Sequence, residues 1–282
     1  MCFRTIFRVA AFLLAGLGLC ATEAAPPAAA PSAAASGAYA LVHGRRMYYE
    51  VYGSGAPLVL LHGGGSTILG SFARQIPVFA LTRRVIGVEQ FGHGHSDDVD
   101  GELSYSRMAE DTAELLRQLH VTQADIVGWS DGGIIGRILA ARHPALVRRL
   151  VVSGANLRPD GLKPEFLDPP PARPPPVTAP GPAAAPDHAA IMQRKLKTLW
   201  GTAPTAADID EPQLARIQAP TLVMACDNDV IRPEHTREIA RLIPHARLCI
   251  VPGTPHATFS SQPDLVNPII LSFLSEPAGG TD

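Results

Sequence analysis

Gly128-Trp129-Ser130-Asp131-Gly132-Gly133 is the stretch on which the reading of this chain turns. Ala124-Asp125-Ile126-Val127 leads into it, apolar and of strand length, and Ile134-Ile135-Gly136-Arg137-Ile138-Leu139-Ala140-Ala141 follows as a helix. A serine between strand and helix, with glycines two residues before and two after, fits the G-x-S-x-G nucleophile elbow. The turn is so tight that the flanking residues must lack bulk, a freedom only glycine has. The bend lifts the hydroxyl above the sheet edge and aims it at the start of the next helix. Backbone N–H groups there can stabilise an oxyanion.

The rest of the chain bounds what that elbow serves. With 282 residues, 46% of them apolar, there is room for a large α/β domain with a sizeable core. A net charge of −2 gives no support for nucleic acid as a partner, and 6% aromatic residues make a poor stacking platform for bases. At the N-terminus, Arg4 and Arg8 precede an apolar run of eleven residues, Val9 to Leu19, followed by Thr22-Glu23-Ala24. That is the pattern of a secretory signal over residues 1–24, too short to span a bilayer. Stable membrane insertion is not expected, and Leu19 is too large to precede a lipidated cysteine at Cys20. Export to the periplasm or medium follows. Residues 25–38, rich in Ala, Pro and Ser, read as a disordered tether, and 277–282 as a disordered tail.

Between them, 39–276 alternate strand and helix. Tyr39–His43 and Arg46–Tyr52 form a hairpin candidate around Gly44. Strands are expected at 58–61, 84–88, 124–129, 147–153, 221–225 and 247–251. Helices are expected at 104–119, 132–142, 233–242 and 264–274, the first carrying Met108, Thr112, Leu115, Leu116 and Leu119 on one stripe. Strands without polar alternation imply a mostly parallel sheet covered on both faces. The order breaks at an insert, 157–218, with eleven prolines in residues 159–186, a density no sheet or long helix survives. A short helix near 187–199 follows. Ile191, Met192, Leu196, Leu199 and Trp200 are its candidate lid residues.

Ser130 needs a base, because its hydroxyl is almost wholly protonated at neutral pH. His256, in Val251-Pro252-Gly253-Thr254-Pro255-His256, follows a strand in a small-residue loop and suits the task. The base needs an orienting carboxylate, for which Asp227 and Asp229 both stand after the strand at 221–225. His93 and His95 with Asp97 and Asp98 make a poor metal cluster, and neither metal nor cofactor is required.

In this order — strand then His62-Gly63-Gly64-Gly65, strand then Gly92-His93-Gly94-His95-Ser96, the elbow, a late acid, a late histidine — the chain resembles the α/β-hydrolase superfamily from about Tyr39 to Leu274. Its elbow looks most like that of biphenyl hydrolase-like esterases, the group that includes valacyclovir hydrolase. The resemblance implies an eight-stranded, mostly parallel sheet with helices on both faces; the short, Pro-rich cap insert departs from the relatives, whose insert is usually helical. It implies a serine esterase acting on small carboxylic esters, with Ser130 as nucleophile, His256 as base and Asp229 rather than Asp227 as acid. Oxyanion donors are then the N–H groups of Asp131 and of Gly64, with Gly63 or Gly65 as alternatives, and His62 braces their loop. Gly63, Trp200 and Asp131 line the substrate side. In related amino-acid ester hydrolases an acid at the position of Asp131 goes with a substrate ammonium; otherwise only its N–H matters. Carbon–carbon bond hydrolases and cofactor-free haloperoxidases share the triad, and a silent binding protein shares the fold. Cys226 and Cys249, offset by about three residues on neighbouring strands, are expected to be free.

Overall fold

The computed structural model describes residues 36–167, 188–205 and 208–277. Its elements run β1 (Ser36–Val42), β2 (Arg45–Tyr52), β3 (Ala56–Leu61), α1 (Ile68–Phe72), α2 (Ile76–Phe79), β4 (Arg83–Val88), α3 (Tyr105–Gln118), β5 (Ala124–Trp129), α4 (Asp131–Arg142) and β6 (Val147–Ser153). After these come α5 (Pro164–Leu167), α6 (His188–Thr202), α7 (Glu211–Leu214), β7 (Thr221–Asn228), α8 (Pro233–Leu242), β8 (Ala246–Pro255), α9 (Thr258–Ser261) and α10 (Pro263–Leu274). The expected signal, most of the tether, the tail from residue 278 and the proline clusters at 169–187 lie outside the described residues. Ser36 to Ala38, expected in the tether, are instead strand, paired with Val51, Glu50 and Tyr49.

The strands form one sheet in the order β1-β2-β4-β3-β5-β6-β7-β8. β1, β2 and β4 pair antiparallel, and every pairing from β4 through β8 is parallel. Parallel strands bring their C-terminal ends to a single edge, which is where the loops after β3, β4, β5, β7 and β8 meet. Alternation along each strand divides the core in two. Val59, Leu61, Ile126, Leu150, Val152 and Val223 share one layer with α3, α4 and α8. Leu58, Leu60, Val127, Val151, Leu222 and Met224 share the other with α1, α2 and α10. The stripe expected on α3 is buried at Met108, Thr112, Leu115 and Leu116, while Leu119 caps the helix half-buried.

At the opposite edge, where the strands begin, Asp125 is fully buried. It accepts from Arg83 Nη1 at 2.7 Å and from Arg148, and Arg83 Nη2 reaches the Leu274 carbonyl at 2.9 Å. One carboxylate thus ties β4, β5, β6 and the end of α10 together, far from the loop-bearing edge. Cys249 lies opposite Met224, so Cys226 is two residues further along, not three, and both thiols are free. No helix among the described residues is long and apolar enough to cross a membrane.

Candidate active site

Ser130 sits between β5 and α4 at φ +56°, ψ −121°, a left-handed conformation that costs a non-glycine residue of order 1–3 kcal/mol. The glycines around it explain why that strain persists. A Cβ on Gly128 would lie 2.1 Å from the Gly132 carbonyl, and one on Gly132 would lie 1.9 Å from the Leu61 carbonyl. β3, β5 and α4 therefore meet backbone to backbone, and Ser130 N–H donates to the Ser153 carbonyl at 2.8 Å. The hydroxyl is left half-buried above the sheet edge.

The structure brings His256 and Asp229 to it. His256 Nε2 lies 3.0 Å from Ser130 Oγ, and His256 Nδ1 lies 2.6 Å from Asp229 Oδ1. Asp229 is 2% exposed and also accepts from the N–H groups of Ile231 (3.0 Å) and Cys226 (3.4 Å). Burial pushes its carboxyl up, but the His256 hydrogen bond and charge and the two backbone donors outweigh it, holding the carboxyl below its ordinary value. Asp227 faces elsewhere. β7 runs three residues beyond its expected end, through Asn228, with an irregularity between Cys226 and Asn228. From there the Asp227 carboxylate takes the N–H groups of Gly253 (2.8 Å) and Thr254 (3.2 Å), bracing the strand that carries His256.

Three supports of the histidine escape a reading of the sequence. Trp129 donates its indole N–H to the His256 carbonyl at 3.0 Å, its ring 5.2 Å from the imidazole. Gly154, at φ +61°, leaves room where a Cβ would stand 3.0 Å from His256 Cε1 and 3.3 Å from Asp229 Oδ2. Thr254 is buried, its hydroxyl bonded to the Val251 carbonyl. Gly154 stands outside the quoted motifs, and Trp129 and Thr254 fill positions within them that do not announce these contacts. Only their spatial neighbours reveal them.

The loop after β3 lies across the elbow. His62 Nδ1 bonds the Gly63 carbonyl at 2.8 Å, and His62 Nε2 accepts from Gln90 N–H at 3.0 Å. That arrangement sets a neutral imidazole with its proton on Nδ1, and burial pushes His62 down to about 3. The Gly63 carbonyl also accepts from Ser66 N–H. In a trans peptide the next N–H points the opposite way, so Gly64 N–H is turned from His62. Gly63 N–H is engaged by Ser71 Oγ at 3.3 Å. The His93 ring lies tilted against that of His62 with centroids 5.0 Å apart, and His95 binds Glu89 at 3.0 Å.

Asp131 opens α4 with a carboxylate that is 6% exposed. Trp200 Nε1 donates to both its oxygens at 3.1 and 3.0 Å, and Tyr105 adds a hydroxyl bond. A Cβ on Gly64 would meet Asp131 Oδ2 at 2.3 Å and the Trp200 ring at 2.8 Å. The carboxylate therefore lies against the loop rather than turning away. Burial raises its pKa, while the Trp200 and Tyr105 bonds and the nearby His93 and His256 pull it back only in part. Trp200 belongs to α6, whose Met192, Leu196 and Leu199 are buried in the same layer as α4, Ile191 being half-buried. Lys195 fastens the helix further, reaching the Val99 carbonyl at 2.6 Å and Asp98 at 3.1 Å.

Comparison with known proteins agrees with this geometry. Residues 58–269 match the family model described as "Alpha/beta hydrolase family". A putative carbamate hydrolase, RutD, of Azorhizobium caulinodans is 30% identical over 256 residues, covering 82% of this chain and 95% of the relative. Human serine hydrolase BPHL is 32% identical over 139 residues, 47% of each chain. Among solved structures, an N-acyl homoserine lactone degrading enzyme superposes with a TM-score of 0.65 at 27% identity, covering 84% of this chain and all of its own. Fold, motif order and family match converge: this chain is a member of the α/β-hydrolase family.

Proposed function

We propose that the chain is a serine hydrolase of small carboxylic esters, working through an acyl-enzyme. The observation that carries this reading is the unbroken relay from Asp229 Oδ1 through His256 to Ser130 Oγ, with steps of 2.6 and 3.0 Å. In the proposed cycle, Ser130 Oγ attacks the ester carbonyl carbon while His256 Nε2 takes its proton. Asp229 steadies the imidazolium without accepting that proton. The tetrahedral oxyanion is held by the N–H groups of Asp131 and Gly64, each worth ~10²–10³ in turnover at comparable sites. His256 then returns the proton to the leaving alkoxide, and water attacks the acyl-enzyme by the same route in reverse.

Gly63, Trp200 and Asp131 border the acyl side. Ionised, the Asp131 carboxylate held by neutral donors favours an acyl group that carries an ammonium and disfavours one that carries a carboxylate. A second reading, carbamate hydrolysis, has support from the carbamate hydrolase match across most of the chain, and the same acyl-transfer chemistry serves it. We also infer export, with the mature chain starting at Ala25; N-terminal sequencing of secreted protein tests that.

The deciding experiment combines a fluorophosphonate probe with a substrate panel. Expected results are an adduct on Ser130, turnover of short p-nitrophenyl esters, and no turnover by Ser130→Ala. An α-amino acyl ester should be preferred over its desamino analogue by a ratio that falls about tenfold, ~1.4 kcal/mol, in Asp131→Asn. An unchanged ratio retires the ammonium preference alone. Wild type that turns over only carbamates, or only a carbon–carbon substrate, or halogenates, replaces the ester assignment. Wild type with no turnover and no adduct marks a binding protein.

A further inference from the structure

The first arm of the insert runs beside the loop that carries Asp229. Leu162 forms an antiparallel bridge with Ile231. Lys163 N–H donates to the Val230 carbonyl at 2.9 Å, and Arg232 N–H donates to the Gly161 carbonyl at 2.7 Å. These contacts settle residues 230–232 but leave Asp229 itself at the end of the paired stretch. There the Lys163 ammonium donates to the Asp229 backbone carbonyl at 2.5 Å. The proposed chemistry makes no direct use of this lysine.

We propose that Lys163 is a positioning residue that acts through Asp229, keeping its carboxylate turned to His256. The inference rests on the Ser130–His256–Asp229 reading above. Asp229 is gripped from both sides: its carboxylate by His256, Ile231 N–H and Cys226 N–H, its carbonyl by the ammonium. Charge-assisted hydrogen bonds are roughly twice as strong as neutral ones, so the clamp opposes backbone rotation that would swing the carboxylate off the imidazole. Which oxygen the lysine chooses matters. On the carboxylate it would compete with the imidazolium for the negative charge. On the carbonyl it orders the acid and leaves that charge for His256. The arm of the insert is thereby coupled to the triad without touching Ser130.

The test compares Lys163→Met with Lys163→Arg. The expected result for Lys163→Met is a kcat lowered about tenfold, less than the ~10²-fold that a 1 Å displacement can cost. KM should stay within about twofold of wild type. The downfield proton resonance of His256 Nδ1–H, which reports the 2.6 Å bond to Asp229, should shift or broaden. Lys163→Arg should restore both kcat and the resonance. Thermal unfolding is followed in parallel, and if Lys163→Met is unstable, Lys163→Gln takes its place, with a smaller loss in kcat expected. Wild-type kcat and resonance in the charge-free variant overturn the proposal, and so does a raised KM at constant kcat, which would mean substrate contact. Fluorophosphonate labelling separates the two levels of inference. Failure to label wild-type Ser130 sinks the triad reading, whereas labelled wild type with an indifferent Lys163→Met sinks only the role of the lysine.

Discussion

Two aspartates stand two residues apart at the end of β7, and only one faces the imidazole. The other, Asp227, takes two backbone N–H groups of β8, so the pair divides orientation of His256 from support of the strand that delivers it. Asp229→Asn should lower kcat by about four orders of magnitude, because the amide favours the wrong tautomer. Asp227→Asn keeps an acceptor for Gly253 or Thr254 and should lower it about tenfold or less. Steady-state kinetics on one ester for both variants gives the comparison. A larger loss from Asp227→Asn would reverse the assignment. Within the sequence the two acids were separable only through family resemblance. Their chemical difference arises from one geometric fact, that β7 continues past Ala225 and turns Asp227 toward its neighbour.

Among the elements, the sequence placed some boundaries and missed others, β7 and β8 running three and four residues past their expected ends. β6 and α8 begin and end where periodicity and Pro233 place them. The short helices α1, α2 and α9 carry four or five residues each, too few for a 3.6-residue period to show. What holds α1 is instead Thr67, whose hydroxyl accepts Gly70 N–H at 3.0 Å. The same limit applies to the turn after β6. Gly154 there needs both a positive φ and an empty Cβ position beside His256. Gly154→Ala should therefore combine backbone strain of ~1–2 kcal/mol with displacement of the imidazole. The expected outcome is a melting temperature a few degrees lower and kcat lower by about ten- to a hundredfold. A stability loss with intact kcat would limit that turn to a structural part.

Across the whole molecule, burying neutral histidines makes stability depend on pH. His62 is pushed down to about 3, and burial also lowers His93 and His235. Their folded values lie below the unfolded value near 6.5. In that window the unfolded chain binds protons the folded one refuses, so stability is full above pH 6.5 and declines as pH falls toward 3. Asp131, Asp125 and Asp111, raised by burial, act in the opposite direction over their own titration range. Denaturant unfolding between pH 6 and pH 4 should show His62→Asn with a pH slope shallower by about 1.4 kcal/mol per pH unit, one proton's worth. An unchanged slope would mean that His62 is protonated in the fold.

Local chemistry along the chain was enough for the alternation of strand and helix, the parallel character of the sheet, the elbow at Ser130 and the two glycine loops. Each of these rests on neighbours in sequence: apolar period, turn residues, and glycines where backbones must touch. Convergence is of another kind. That Asp131 lies under Trp200, that Trp129 and Gly154 support His256, and that Lys163 holds the Asp229 carbonyl depend on contacts between residues 66 to 127 positions apart. Such contacts leave no periodic trace, because distance in space is set by how the sheet orders its strands and by which loops it brings to one edge.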